Sequence, residues 1–365
     1  MKAECSIEKF KTAITQVERI TGKNLTLPIL SSILIEAQGK SIKLRATNLN
    51  LGIEVEIPSK VEREGVCALP GSVLLNLFST LSDEGNAEFD LVNGNLSLIT
   101  KKNKFLLKSQ PHEDFPSIPT VEGSTIVLPV KKIIEGIKSV YFSASPTDIK
   151  PEISSVYIYS ENNSMVFVST DSFRLAEKRI KMKDIYDFPP LLIPYKNIIE
   201  IIRIFGDSDD DVVFTMNKNQ IGMKNKAVYL TSRIIDGIFP DYKQIIPKDF
   251  NTEGKVLKQD LIQALKLSSV FKDKFNQITL VTDPKAKKIT IYAKNSDIGE
   301  NTTELEAALT GERIEINLNY RYLVDCFQSI PEDSVTLLIK ELNKPLIIKG
   351  VSDTTFTYLV MPMNR

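Results

Sequence analysis

The sequence predicts an α+β protein made of three similar domains, each with two helices packed against antiparallel sheet. Two patterns predict this class: amphipathic helical segments recur along the 365 residues, and segments of alternating apolar and polar residues fill the intervals. The recurrence is long, since Pro70 and Pro194 lie 124 residues apart. Solenoid repeats reach at most roughly 50 residues. The repeating unit is therefore a domain, and we expect boundaries at 1–124, 125–251 and 252–365.

Each third opens with a helical pattern in which apolar positions recur at helical spacing and Lys or Arg occupies the other side. These segments are SIEKFKTAITQVERI from Ser6, LPVKKIIEGIKSVYF from Leu128 and KVLKQDLIQALKLSSVF from Lys255. A second helical pattern follows in each third, and these are LPGSVLLNLFSTL from Leu69, IPYKNIIEIIRIF from Ile193 and LNYRYLVDCFQSI from Leu318. The sequence therefore predicts six helices, two in each third.

Between the helices, period-two alternation predicts half-buried strands. The clearest examples are SILIEA, SIKLRA, GIEVEI, VYIYS, MVFVS, KITIYA and RIEINL. Asn93-Gly94 between two such segments predicts a hairpin turn. Two further segments share the register of the repeat, DFPSIP from Asp114 and IFPDYKQIIP from Ile238, with Pro116 and Pro240 again 124 residues apart.

Charge and composition restrict the function. The chain has 46 Lys and Arg against 46 Asp and Glu, which excludes a nucleic-acid binder held by a large positive excess. The helical segments are net positive and the remainder is net negative, so helices sharing one surface would attract phosphates without reading sequence. Solvated helix faces would show the same lysines. Cys5, Cys67 and Cys326 lack metal-ligand spacing and suit core thiols in a reducing cytoplasm. No apolar segment approaches the ~20 residues of a membrane span, and the N-terminus lacks the pattern of a signal peptide.

A catalytic site is not expected. The only histidine, His112, follows Pro111 in a loop-like segment, where a structural role is favoured. Phosphate-binding, nucleophile-elbow and HExxH motifs are absent from the sequence. The segment GDSDDDV from Gly206 to Val212 could hold a divalent cation, but it lacks EF-hand spacing and a solvated turn is favoured. We therefore expect no enzyme activity, no cofactor and no metal.

Four segments in order, TLPILSSILIEA from Thr26, TDSFRLAEKRI from Thr170, DGIFPDYKQIIP from Asp236 and the terminal YLVMPM, carry a family resemblance. The chain resembles the bacterial DNA polymerase sliding clamp, the β subunit of the replicative polymerase. The resemblance implies three clamp domains with sheets outside and two helices inside, closed into a ring as a head-to-tail homodimer. It also implies a non-catalytic processivity factor in the cytoplasm, associated with the nucleoid. Such a ring encircles duplex DNA and slides along it.

The resemblance also implies a hydrophobic pocket that captures short peptides from the polymerase, the clamp loader, other polymerases and repair proteins. By residue matching, the pocket comprises Ile153, Thr170, Ser172, Phe173, Arg174, Leu175, Pro240, Gln244, Ile245, Asn319, Tyr322, Pro345, Leu359, Val360, Met361, Pro362 and Met363. Met and Pro give an adaptable apolar surface. The alternative for the terminal segment is a buried last strand, at least at Tyr358 and Leu359. Where the family usually has TDGHRLA, this chain has Ser172 and Phe173.

We expect the pocket side chains to be partly exposed in the free protein, so that Met361→Ala and Leu175→Ala leave the melting temperature nearly intact. Candidates for the DNA channel are Lys9, Lys11, Lys23, Lys132, Lys138, Lys196, Arg203, Lys258, Lys266 and Arg321. Candidates for the dimer interface, by resemblance, are Phe105 and Leu107 on one copy against Val270 and Phe271 on the other. Two alternatives are a peptide-binding scaffold that forms no ring and a metal-dependent enzyme using the GDSDDDV segment. No membrane partner is expected.

Overall fold

The structure is a computed structural model that describes residues 1–22, 26–147, 149–182 and 188–363. It contains two compact units. The first unit comprises Met1–Ile134 and Lys196–Asp236, and the second comprises Glu135–Tyr195 and Gly237–Arg365. Each of the two largest sheets combines strands from two neighbouring repeats. The boundaries of the two units therefore do not coincide with those of the repeats. The predicted boundaries at 124 and 251 stay a prediction.

All six predicted helices are confirmed in the described residues. Their bounds are α1 (Ile7–Val17), α2 (Gly71–Thr80), α3 (Val130–Val140), α4 (Tyr195–Phe205), α5 (Lys258–Ser268) and α6 (Tyr320–Cys326). The Ser6 hydroxyl caps the first of them by accepting from the backbone N–H of Lys9 at 3.4 Å. The Asn319 side chain caps the last in the same way, accepting from the N–H of Arg321 at 3.0 Å.

The strands are numbered in chain order. Their bounds are β1 (Lys2–Ser6), β2 (Ser32–Gln38), β3 (Ser41–Thr47), β4 (Leu51–Pro58), β5 (Lys60–Arg63), β6 (Gly65–Pro70), β7 (Asn86–Val92), β8 (Asn95–Ile99), β9 (Lys104–Leu107), β10 (Ser124–Pro129), β11 (Ser155–Glu161), β12 (Ser164–Thr170), β13 (Arg174–Lys181), β14 (Leu191–Pro194), β15 (Asp211–Met216), β16 (Gln220–Lys224), β17 (Val228–Arg233), β18 (Thr252–Leu257), β19 (Gln277–Asp283), β20 (Lys288–Asn295), β21 (Gly299–Glu306), β22 (Ala308–Gly311), β23 (Ile314–Asn319), β24 (Ser334–Ile339), β25 (Leu346–Gly350) and β26 (Phe356–Val360). Short 3-10 turns follow α1, α3, α5 and α6.

The first unit contains a five-stranded sheet in the order β5-β1-β7-β8-β9 and an eight-stranded sheet in the order β10-β15-β16-β17-β4-β3-β2-β6. The predicted hairpin is confirmed, because Asn93 and Gly94 join β7 to β8 with φ values of 48° and 78°. The apolar stripe of α1 faces the core. Its Phe10 ring lies 5.0 Å from Phe78 of α2 and 4.5 Å from Phe89 of β7, centroid to centroid. Helix and sheet thus share one aromatic core.

The second unit contains a nine-stranded sheet in the order β14-β11-β12-β13-β26-β25-β24-β18-β22 and a four-stranded sheet in the order β21-β20-β19-β23. Neighbouring strands pair antiparallel, and β13 pairs with the C-terminal strand β26 through Leu175 opposite Leu359. Helix α3 packs closely on this sheet at Gly136, whose missing side chain makes room for the ring of Phe167 on β12.

One prediction about strand burial is wrong. The alternation in MVFVS predicts a half-buried strand, yet every residue of β12 is buried. The second face is covered by the later FP segment, in which Phe239 stacks on Tyr157 of the adjacent strand with ring centroids 4.7 Å apart. Segment SILIEA is likewise buried at its first four positions. There Phe115 of the earlier FP segment packs against a buried cluster of Ile29, Leu34 and Ala68.

The three cysteines are buried and form no disulfide, as expected for core thiols. Burial raises the pKa of Cys5 and of Cys67 to about 12. Burial raises the pKa of Cys326 as well. At neutral pH all three are therefore thiols, which removes them as nucleophiles.

The contact between α3 and β12 generates a stability prediction. A Cβ at Gly136 would lie 2.3 Å from Cε2 of Phe167, well inside van der Waals contact. We expect Gly136→Ala to lower the free energy of unfolding by about 1–3 kcal/mol, although alanine is the better helix former by about 1 kcal/mol. Urea unfolding measures this. Lys138→Ala, at an exposed site on the same helix, is the control and should change the free energy by no more than about 0.5 kcal/mol. A Gly136→Ala variant as stable as the native chain would contradict the close packing.

Candidate functional site

The turn after β12 presents an exposed aromatic side chain. Asp171 Oδ1 accepts from the backbone N–H groups of Phe173 at 2.9 Å and of Arg174 at 3.0 Å. Between them, Ser172 has a φ of 78°, in the left-handed region that favours glycine. This chain makes the turn with a serine in a conformation that glycine adopts more readily. The result is a Phe173 side chain that is 61% exposed.

Two carboxylates form ion pairs with the Arg174 side chain and fix its position. Its Nε donates to Asp171 Oδ2 at 2.9 Å and its Nη1 donates to Asp325 Oδ2 of α6 at 2.5 Å. The guanidinium carbon lies 4.5 Å from the centre of the Tyr322 ring. Burial disfavours the charge, but contacts with Tyr358, Asp325 and Asp171 outweigh burial and raise the pKa of Arg174. This side chain therefore fixes the turn to α6.

The terminal segment is core strand as far as Val360. Tyr358, Leu359 and Val360 are at most 1% exposed, and the Tyr358 hydroxyl donates to the Tyr322 carbonyl at 2.8 Å. Beyond the strand, Met361, Pro362 and Met363 are half-buried. The N–H of Met361 donates to the Phe173 carbonyl at 2.8 Å, which holds the chain end against the turn after β12.

The expectation that all pocket side chains are partly exposed is wrong. Five of them are buried, and we call these the floor: Thr170, Leu175, Pro345, Leu359 and Val360. The other twelve are half-buried or exposed, and we call these the rim: Ile153, Ser172, Phe173, Arg174, Pro240, Gln244, Ile245, Asn319, Tyr322, Met361, Pro362 and Met363. Leu175 and Leu359 are paired across β13 and β26 at 0% and 1% exposure, so truncating Leu175 removes core packing.

Part of the rim lies on a segment that packs on one face of the nine-stranded sheet at β11. We call residues 238–246 the rim segment. Phe239 and Tyr242 of this segment are buried, whereas Pro240, Gln244 and Ile245 are exposed. Gln244 Nε2 donates to Asp241 Oδ2 at 2.7 Å within the segment. Sequence patterns did not identify Asp171 or Asp325 as the partners of Arg174. The only sign of such a contact in the sequence was the presence of charged residues next to apolar strand patterns.

The structure separates the candidate DNA-contacting cations. Lys9, Lys11, Lys138, Lys196, Lys266 and Arg321 are exposed. Lys258 instead donates from Nζ to the Ile330 carbonyl at 2.7 Å, which gives it a structural partner. Arg203 is half-buried beside Glu200, and burial, followed by the charge of Arg19, lowers the pKa of Arg203 to about 10. Lys132 is half-buried, and Lys23 lies outside the described residues.

Two of the candidate interface residues lie on an edge strand of the first unit, and the other two lie in a turn close to an edge strand of the second unit. Strand β9, with Phe105 and Leu107, is the last strand of the five-stranded sheet, and Leu106 between them is 66% exposed. Strand β21 is the end strand of the four-stranded sheet. Val270, in the 3-10 turn after α5 together with Phe271, is 60% exposed. An unprotected edge strand beside exposed apolar side chains is a template for pairing with another chain.

Within the described residues, nothing resembles a metal centre, since no three His, Cys, Asp or Glu side chains are placed to hold an ion. The GDSDDDV segment forms the turn between α4 and β15, where Asp209 pairs with Lys131 at 2.7 Å. His112 is half-buried in a loop, and its carbonyl accepts from the N–H of Phe115. As to membranes, the helices of the described residues are all too short or too polar to span one.

Three family models together match nearly the whole chain. They describe the N-terminal domain of the DNA polymerase III beta subunit at residues 1–119, its central domain at 127–241 and its C-terminal domain at 243–364. Among curated proteins, the beta sliding clamp of Synechocystis sp. is 28% identical over 388 residues, covering 100% of this chain and 99% of the relative. The beta sliding clamp of Streptococcus pneumoniae serotype 4 is 25% identical and covers 97% of each.

Solved structures agree in fold. The beta subunit of Thermotoga maritima superposes with a TM-score of 0.94 at 22% identity, covering 100% of this chain and 99% of the other. The sliding clamp of Pseudomonas aeruginosa bound to griselimycin gives a TM-score of 0.94 at 22% identity and covers both chains fully. The chain therefore belongs to the DNA polymerase III beta subunit family, whose members are non-catalytic processivity factors of DNA replication.

Proposed function

We propose that two copies of this chain close head to tail into a ring around duplex DNA and hold polymerases there through the floor and rim. The observation that carries this proposal is the pairing of β13 with β26, which brings the turn containing Phe173 against the C-terminal residues. Family membership supports the ring, the three clamp domains at 1–124, 125–251 and 252–365, and an action on nucleoid DNA in the cytoplasm. Partners are the replicative polymerase, the clamp loader, other polymerases and repair proteins.

The rim is suited to short apolar peptides. Phe173 and Ile245 are 61% and 46% exposed, and Met361 and Met363 are half-buried. The Met361 N–H donates to the Phe173 carbonyl, which brings these two residues together. Methionine adapts to ligands of different shape, which fits a site that serves several partners. The Pseudomonas aeruginosa relative binds griselimycin. We propose that this chain also binds griselimycin, and that it does so at the rim.

The division into rim and floor generates a paired prediction. We expect Met361→Ala to leave thermal unfolding nearly unchanged, because the side chain is half-buried. The same change should weaken binding of a labelled peptide derived from the replicative polymerase about thirtyfold, since an interface anchor contributes ~2 kcal/mol or more.

The matched variant is Leu175→Ala on the floor, which should destabilise the chain by about 2–5 kcal/mol because a fully buried leucine leaves a cavity. Peptide titration and thermal unfolding are measured on both variants. If Met361→Ala binds the peptide as the native chain does, the rim assignment is wrong.

The two sheet edges carry opposite charges, and both also have apolar side chains. Around β9 the sequence KKNKFLLK carries four exposed lysines, and β21 has the sequence GENTTELE with three exposed glutamates. Glu304 also contacts Lys288 at 2.6 Å, an exposed pair that contributes little by itself. Pairing β9 of one copy with β21 of the other would satisfy both edges. Such an interface is heterologous, and it gives a ring only if the rotation between the two copies closes.

The edge pairing predicts a dimer that depends on apolar contact. We expect the native chain to have the mass of a dimer by light scattering at micromolar concentration, and Val270→Glu to shift it toward monomer because a charge would be buried against the partner's edge. Leu342→Glu, at a turn residue that is 58% exposed, is the control and should stay dimeric. A native monomer, or a dimer unaffected by Val270→Glu, contradicts this interface.

The ring predicts retention by topology. After loading by the clamp loader with ATP, we expect the chain to remain on a closed circular duplex through gel filtration and to be lost when the circle is cut, because free ends let a ring slide off. A peptide-binding scaffold that forms no ring would show no retention on either DNA. Equal retention on circular and linear DNA would refute encirclement.

A further inference from the structure

The rim segment is attached to the sheet by two buried aromatic side chains. Phe239 stacks on Tyr157 of β11, with the ring planes 6° from parallel. Three residues later, the Tyr242 hydroxyl lies 2.8 Å from the hydroxyl of Tyr159 on the same strand. Phe239 and Tyr242 are 7% and 5% exposed. The inward half of the segment is therefore packed, while its outward half presents the rim residues.

A hydrogen-bonded chain of alternating charge lies beneath the segment. Glu177 of β13 accepts from the Tyr242 hydroxyl and, at 2.6 Å, from Arg179 Nε. Arg179 Nη1 donates to Glu161 Oε2 at 2.7 Å. Lys243 Nζ donates to the other oxygen of Glu161 at 2.6 Å. Both ends of this chain of contacts thus reach the segment, at the consecutive residues Tyr242 and Lys243.

This network holds the segment in one arrangement. Glu177 is 7% exposed within the sheet, and a carboxylate so placed is costly unless its oxygens are paired. Burial and contact with Glu177 raise the pKa of Tyr242, so its hydroxyl remains a donor at neutral pH. The burial of apolar area is non-directional. The hydrogen bonds of Tyr242 and Lys243, in contrast, can form at only one position of the segment. A shift of the segment would remove the Tyr242 donor from one oxygen of the buried Glu177 and leave Arg179 as the donor to the other.

The network adjoins the floor. Leu175 and Glu177 are two residues apart on β13, so both side chains point to the same face of the sheet. Leu359 lies opposite Leu175 on β26 and shares that face. The 3-10 turn Tyr242–Ile245 carries the buried anchor at its start and the exposed Ile245 at its end. The anchor therefore sets the direction in which the rim side chains of this turn project.

We propose that Glu177 and Tyr242 are positioning residues of the partner site: their contact fixes the rim segment on the sheet so that Gln244 and Ile245 meet an apolar peptide. Neither residue touches the peptide. The inference rests on the proposed function, because it concerns the rim of that same site. It assigns to two internal residues a control over peptide affinity that is separate from their contribution to folding.

The test removes one hydroxyl. Tyr242→Phe keeps the packed ring and deletes the donor to Glu177, and Glu177→Gln keeps the shape and deletes the charge. For both variants we expect the Kd of the labelled polymerase peptide to rise about threefold to tenfold, as the loss of one ordinary hydrogen bond implies. Thermal unfolding is measured alongside.

The first unit supplies a matched control. The Tyr229 hydroxyl donates to the Pro119 carbonyl at 3.0 Å and accepts from the Val121 N–H at 2.9 Å, where it holds the end of the earlier FP segment. Tyr229→Phe should lower the melting temperature by a similar amount and leave the Kd unchanged. If Tyr242→Phe keeps the native Kd, or if Tyr229→Phe raises it equally, the positioning role is refuted.

A double variant locates the effect. If the Tyr242 hydroxyl acts through the rim segment, adding Tyr242→Phe to Ile245→Ala should weaken binding less than it does in the native chain. Full additivity would place its action elsewhere and refute the inference. If the native chain does not bind the peptide at all, both the proposed function and this inference are wrong. If the native chain binds but the variants do not behave as expected, only this inference is wrong.

Discussion

The pairing of β13 with β26 is the contact on which the site depends. It joins Leu175 to Leu359, residues far apart in sequence, and continues the sheet from the middle of the chain into its last strand. On one face of the pair the Tyr358 ring lies 5.7 Å from Phe142, centroid to centroid. On the other face lie Leu175 and Leu359 of the floor. Without this pairing the turn at Phe173 and the chain end at Met361 would not be held together, because a single backbone hydrogen bond beyond the strands joins the two.

The same strand must accommodate charge on both of its faces. Glu177 and Lys178 are adjacent on β13, so their side chains point in opposite directions, and both are at most 9% exposed. Lys178 Nζ donates to Thr355 Oγ1 at 2.9 Å and lies 3.6 Å from Asp353. Buried charges of this kind add little net stability, but they penalise every arrangement in which a partner is absent. The sheet thereby specifies the positions of the loops that cover it.

How much the sequence could predict depended on the range of the interactions. The helices and the Asn93-Gly94 turn follow from local periodicity and turn chemistry, and both were predicted correctly. The burial of β12 was not, because the cover over it comes from Phe239, which is distant in sequence. Leu175 was assigned to an exposed pocket for the same reason. The partner of Arg174, Asp325, lies 151 residues away, and no spacing rule connects the two.

The distribution of cations fits a protein that holds DNA weakly. Lys258 and Arg203 are engaged within the chain, by the Ile330 carbonyl and by Glu200, so they contribute less to an outward field than a count of residues implies. The exposed cations on the helices are offset by acidic residues elsewhere, which gives zero net charge. Tight, salt-dependent binding needs many phosphate contacts at once. A closed ring needs few of them, because retention comes from topology and weak contacts leave the ring able to slide. Neutrality is therefore compatible with processivity, whereas it would be a defect in a protein that had to hold DNA by charge alone.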